Sequence, residues 1–131
     1  MCEMIEKLVS GEIVDPVTRL PRKEFLEELK KLLKDSGVWL LEVDVTIDGV
    51  PEIYKDIAIS KIASIIKHSV RIPKDMVVRI GDYEFAVLVS GVDKELIKNI
   101  AKRIKDNVDY MSLSIGGKSV NPTAVVRYEK L

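Results

Sequence analysis

The spacing of apolar residues along the chain changes several times, and each change marks an element. Met1, Met4, Ile5, Leu8 and Val9 recur at helical intervals before Gly11, which predicts a short amphipathic helix over residues 1–13. A turn rich in proline, from Asp15 to Lys23, then opens a second helix. Its stripe is Phe25, Leu26, Leu29, Leu32 and Leu33, and it closes at Ser36-Gly37. From Val38 to Asp48 the period drops to two. Trp39, Leu41, Val43, Val45 and Ile47 fall on one face of a strand, and Glu42, Asp44, Thr46 and Asp48 on the other. Ile57, Ile59, Ile62, Ala63 and Ile66 restore the helical period.

Val77, Val78 and Ile80 on one side of Gly81-Asp82, and Phe85 to Val89 on the other, are apolar enough to be buried on both faces, which predicts a β-hairpin with a tight turn. Leu96, Ile97, Ile100, Ala101 and Ile104 form a third helical stripe. Tyr110 to Gly116 and Pro122 to Tyr128 read as two further strands. Taken in order, these elements fit an α+β fold, a palm-like relative of the ferredoxin-like arrangement, with a central, mainly antiparallel sheet of about five strands and flanking helices. Residues 15–131 make one domain, and residues 1–14 are expected to be a helix leading into it.

Composition narrows the function classes. A chain of 131 residues can bury a substantial core in one domain. Lys+Arg and Asp+Glu number 21 each, so no net field favours nucleic acid or an anionic membrane. The basic residues around the third helix lack the interleaved aromatics of a single-strand binder. Charged residues make up 32% of the sequence and Lys, Glu and Ile dominate, a profile that points to a thermophilic source. Cys2 has no partner for an internal disulfide, and a single Cys with a single His, His68, gives no basis for a zinc or nucleophilic site. No signal-peptide pattern or membrane-spanning apolar run is present, so a cytoplasmic location is expected.

The candidate chemistry lies at the hairpin tip, where Arg79, Asp82 and Glu84 crowd a turn that must stay near solvent, and on the acidic face of the strand that ends at Asp48. Oxygen-bearing side chains in a row, Asp44, Thr46 and Asp48, could form half of a site for a hard cation.

The stretch Arg79-Ile80-Gly81-Asp82-Tyr83-Glu84-Phe85 resembles the Arg-x-Gly-Gly-Asp-Glu-Phe signature of the GGDEF family, the diguanylate cyclase domains. Arg79, Gly81, Glu84 and Phe85 match, whereas Asp82 stands for the second glycine and Tyr83 for the metal-binding acid. The entry stretch resembles the family's Asp-x-Leu-Thr-Gly-Leu-x-Asn-Arg, with Asp15, Thr18 and Leu20 kept and Arg19 in place of glycine. In the family the aspartate and arginine equivalent to Asp15 and Arg79 pair, so a tether between them is expected. The first metal-binding aspartate falls at Thr46 when Ile47-Asp48-Gly49 and Ile53 are aligned, and at Asp44 in a second register; the first is preferred. Asp56 aligns with the acid that holds guanine, but the Gly-His-x-x-Gly-Asp segment before it is absent. Arg71 and Asp75 resemble the family's Arg-x-x-Asp inhibitory site, with Arg71 one residue early. Ser112-Leu113-Ser114-Ile115-Gly116 resembles Thr-Val-Ser-Ile-Gly. The similarity runs from about Asp15 to Gly116, and the sequence ends at Leu131, where active members continue into a helix whose lysine reaches the triphosphate.

These departures imply a degenerate domain without cyclase activity. Cyclisation of this kind relies on two divalent ions to place charge. A phenol with a pKa near roughly 10 stays neutral at pH 7 and cannot replace a carboxylate on magnesium. The expectation is therefore a regulatory or binding module with no catalytic residues and no cofactor. Its partner would be a protein or a second copy of the chain, with GTP or cyclic di-GMP as candidate ligands at a vestigial site of Asp44, Thr46, Asp48, Asp56, Asp82 and Glu84. The alternative is an active diguanylate cyclase that joins two GTP into cyclic di-GMP with magnesium.

Overall fold

The computed structural model describes residues 15–71 and 74–131, so the helix expected over residues 1–13, together with Cys2, lies outside the described residues. The elements in chain order are α1 (Lys23–Leu33), β1 (Trp39–Thr46), a 3-10 turn (Glu52–Tyr54), α2 (Lys55–His68), β2 (Met76–Arg79), β3 (Glu84–Val89), α3 (Lys94–Asp109), β4 (Leu113–Ile115), β5 (Lys118–Val120) and β6 (Thr123–Lys130). Four strands form the main sheet in the order β2-β3-β1-β6, with every neighbouring pair antiparallel. The path β1-α2-β2-β3-α3-β6 is the βαββαβ arrangement of ferredoxin-like folds. To it are added α1 ahead of β1 and the β4-β5 ribbon before β6.

Each face of the sheet has its own core. On one side Trp39, Leu41, Val43 and Val45 of β1 meet Phe85, Val87 and Val89 of β3 and the buried sides of α2 and α3. On the other, Leu40 joins Val78, Ala86, Leu88 and Leu26 beneath α1. Because helices cover both faces here, Phe85 to Val89 are all buried, as a strand without polar alternation requires. Glu42 and Asp44 are only half-buried and Thr46 is exposed, because α1 covers just the β2-β3 side of its face. The helical stripes are narrower than their apolar content. Leu32, Ile57 and Leu96 remain exposed, and Ala58 and Val108 take buried places instead. Asp93 caps α3 by accepting a 2.8 Å hydrogen bond from the Leu96 amide.

The sheet differs from the expected one of about five strands at a single place. Tyr110 does not begin a strand; it ends α3 and is 86% exposed. The strand shrinks to Leu113–Ile115 and turns back at once on Lys118–Val120 in a separate two-stranded ribbon. Gly116 and Gly117 cause this, since both have positive φ (59° and 80°) and together make the two-residue turn whose twist suits a hairpin. The position beside β1 goes to β6. The Gly81-Asp82 turn is also longer than expected: residues 80–83 form the loop, and the amides of Ile80 and Gly81 both donate to the Glu84 carbonyl, at 2.9 and 3.2 Å. Among the described residues no helix is long and apolar enough to cross a membrane.

Candidate functional site

The hairpin tip, the C-terminal end of β1 and the start of α2 converge. Antiparallel pairing sets Asp44 opposite Glu84, and the Val45 amide donates to the Tyr83 carbonyl at 2.9 Å. Tyr83 is thereby held beside the end of β1, half-buried against the core. Lys55, the first residue of α2, places its ammonium 2.7 Å from Asp82 and 3.9 Å from Glu52. That hydrogen bond with Lys55 holds the Asp82 carboxyl below its usual range and raises the Lys55 pKa. Burial, and then the negative charges of Asp82, Glu52 and Asp56, push the Tyr83 phenol upward against the opposing effect of Lys55. Tyr83 is therefore neutral across the physiological range.

Arg79 organises the near side of the tip. Its Nε donates to the Gly81 carbonyl at 2.9 Å, Nη1 to Asp15 Oδ1 at 2.9 Å and Nη2 to Asp82 at 3.5 Å. The other Asp15 oxygen accepts from both the amide and the hydroxyl of Thr18, each at 2.8 Å. The Arg79 amide donates to the Pro21 carbonyl at 3.0 Å, so the entry turn and the hairpin are joined through backbone and side chains. Gly81 makes room for Glu84: a Cβ at Gly81 would lie 2.7 Å from the Glu84 carboxylate.

The remaining candidates are dispersed. Asp44 accepts from Arg127 at 2.9 Å, and Glu42 from the same guanidinium nitrogen at 3.2 Å. Arg127 was not singled out from the sequence. Alternation along β6 gives its parity, but only the pairing of Glu42 with Arg127, a contact 85 residues long, puts it beside the acids. Asp48 and Asp56 are exposed, and Asp56 lines a shallow apolar depression with Val17 and Ile57. Arg71 and Asp75 sit at the far end of β2 from the tip. The Asp75 side chain is fully buried and takes hydrogen bonds from the Arg71 amide (2.8 Å), Nε (3.0 Å) and Nη2 (2.7 Å). Arg71 Nη2 also donates to the Ser90 carbonyl at 3.0 Å. Among the described residues no three acidic, His or Cys side chains are grouped to hold a metal ion.

Comparison with known proteins places this arrangement. The family model for the diguanylate cyclase GGDEF domain matches residues 54–126, a span that holds α2, the hairpin, α3 and the β4-β5 ribbon. Probable diguanylate cyclase DgcT of Escherichia coli (strain K12) is 39% identical over 57 residues, covering 44% of this chain and 12% of that protein. The GGDEF domain of FimX from Pseudomonas aeruginosa superposes with a TM-score of 0.75 at 19% identity, over 91% of this chain and 80% of that one. Diguanylate cyclase SiaD from the same organism, solved with its activator SiaC, superposes with a TM-score of 0.73 at 21% identity, over all of this chain and 54% of that one. The chain thus spans a small part of DgcT and about half of the SiaD structure, and the structural likenesses establish the fold. With more than half of its length matched by the family model, the chain belongs to the GGDEF family.

Proposed function

We propose that this GGDEF domain makes no cyclic di-GMP and serves as a regulatory module that binds protein. The observation that carries this reading is the Lys55–Asp82 contact at 2.7 Å beside the neutral phenol of Tyr83. At the hairpin tip a protonated amine of the chain already answers Asp82, one of the two acids that flank Tyr83, the position where the family signature has its metal ligand. The donor set does not fit a magnesium pair. Magnesium requires near-octahedral oxygen ligands and charge compensation by carboxylates, whereas this tip offers the Thr46 hydroxyl, the Tyr83 phenol, an Asp82 bonded to Lys55 and, as the one acid there without a cation against it among the described residues, the exposed Glu84. Asp44 is likewise answered by Arg127. Loss of one preorganised charge commonly lowers a rate by about a hundred- to a thousand-fold, and in the preferred alignment two are replaced, at Thr46 and Tyr83.

Binding of nucleotide is not favoured either. Asp75, the acid of the inhibitory-site resemblance, is buried with both oxygens engaged by Arg71, and a ligand recruiting the partly exposed Arg71 would have to break this bidentate pair. The complex of SiaD with SiaC supports the fold as a platform for protein partners.

Incubation of the pure protein with GTP and magnesium is expected to yield no cyclic di-GMP, and calorimetric titration with GTP or cyclic di-GMP no binding heat. Product formation would overturn the reading in favour of an active cyclase, and saturable heat without product would reassign the domain as a nucleotide receptor.

A further inference from the structure

Among the described residues β6 is an outer strand of the main sheet, with β1 as the strand it pairs with. The direction of its backbone groups follows from two contacts. The Ala124 amide donates to Asp109 Oδ1 at 2.8 Å and its carbonyl accepts from Lys105 Nζ at 2.7 Å, both from α3 on the outer side. At the other end, the Leu131 amide donates to the Val38 carbonyl at 2.8 Å, toward β1. The register between them runs unbroken from Thr46↔Thr123 to Trp39↔Lys130. Antiparallel strands alternate, so Val126, Tyr128 and Lys130 turn their N–H and C=O groups outward as Ala124 does. The side chains of α3 close the first of these rungs, and no partner among the described residues meets the other three. An unpaired edge of this kind is a template for another strand.

We propose that the chain pairs with a second copy of itself along β6, antiparallel about a two-fold axis at Tyr128. Charge complementarity selects this occupant and this register. In it Tyr128 lies opposite its own copy and Val126 opposite Lys130, so all the open rungs are used and the rung blocked by α3 is left out. Arg127 and Glu129 share the other face of the strand, and this register sets Arg127 of each copy directly against Glu129 of its mate. Sliding by one rung in either direction instead opposes Arg127 to Arg127 or Glu129 to Glu129, which is destabilising. Arg127 is 64% exposed on its side chain even while it contacts Glu42 and Asp44, so it is accessible to an incoming carboxylate. The pairing goes beyond the reading of the nucleotide site, because an open edge would pair in an active domain as well as in an inactive one.

Sedimentation equilibrium of the full chain tests it. The wild type is expected to dimerise, and Arg127→Glu and Glu129→Arg are each expected to weaken the dimer by about tenfold or more through two opposed like-charge contacts. Mixed together, these two variants are expected to associate again, since every contact across the mixed pair joins opposite charges. Far-ultraviolet circular dichroism of each variant checks that the fold persists. A wild type that stays monomeric overturns the proposal. So does a dimer indifferent to both substitutions, which would assign self-association to another surface, or a failure of the folded variants to associate on mixing.

Discussion

Arg19 adopts φ = 62°, a left-handed backbone conformation, in the turn where its amide donates to the Asp15 carbonyl at 2.8 Å. The side chain is exposed, so its replacement removes little packing, while a Cβ in this region is sterically costly. Arg19→Gly is therefore expected to raise stability by about 0.5–1 kcal/mol, once the greater freedom of glycine in the unfolded chain is offset against the relieved strain. Urea unfolding reads this as a higher midpoint at unchanged slope, and a lower midpoint would show that the Arg19 side chain contributes more than its backbone costs. The sequence marked this position, because the family motif has glycine there. It could not show that the turn keeps its shape with arginine in place. That depends on the Asp15 and Thr18 hydrogen bonds, which hold the turn from both sides.

At the scale of elements, the helices and most strands were legible because their apolar periods are long and regular: α2, α3, β1 and β3 all stand where the pattern puts them. The stretch after α3 was not. Serine and leucine alternate there as in a sheet strand, yet two consecutive glycines reverse the chain after three residues. Gly116 has a further constraint, since a Cβ would lie 2.8 Å from Tyr54 Cε2, whereas Gly117 has nothing within 4 Å. Gly116→Ala is expected to cost about 1–3 kcal/mol through both strain and displacement of the Tyr54 ring. Gly117→Ala carries only the backbone strain. Thermal unfolding of the two variants should rank Gly116→Ala clearly below Gly117→Ala, and equal losses would mean that Tyr54 yields at no cost. Through this contact the ribbon seats Tyr54, the residue just before α2, and so helps fix the helix that brings Lys55 to the hairpin.

For the molecule as a whole, the ion pair of Asp15 with Arg79 is a well-buried long-range tie, 64 residues apart, with side chains only 12% and 14% exposed. Burial raises the Asp15 pKa, but the Thr18 amide, the Thr18 hydroxyl and Arg79 together outweigh it and leave it below the ordinary carboxylate value. A group whose pKa is depressed by folding contributes stability above its unfolded value, near roughly 3.9, and loses it as pH falls through the folded one. Asp15→Asn is thus expected to be less stable than wild type at pH 7, by about 1–3 kcal/mol. The gap should narrow below about pH 4 as the wild-type carboxylate takes up its proton. Chemical denaturation across pH measures this, and a constant gap would remove Asp15 from the account of acid stability. What the sequence determined by itself were the local terms: periodicity, which sets helix and strand, and residue chemistry, which puts a phenol and a hydroxyl where the family resemblance expects carboxylates. The tertiary structure decided which distant charges meet beyond the Asp15–Arg79 tether that the resemblance implied. The partners of Asp82 and Asp44, and the side of β6 turned away from β1, depend on strand order and register, whereas Asp75 meets Arg71 only four residues away. Strand order and register are fixed by burying two cores at once rather than by any local run of residues.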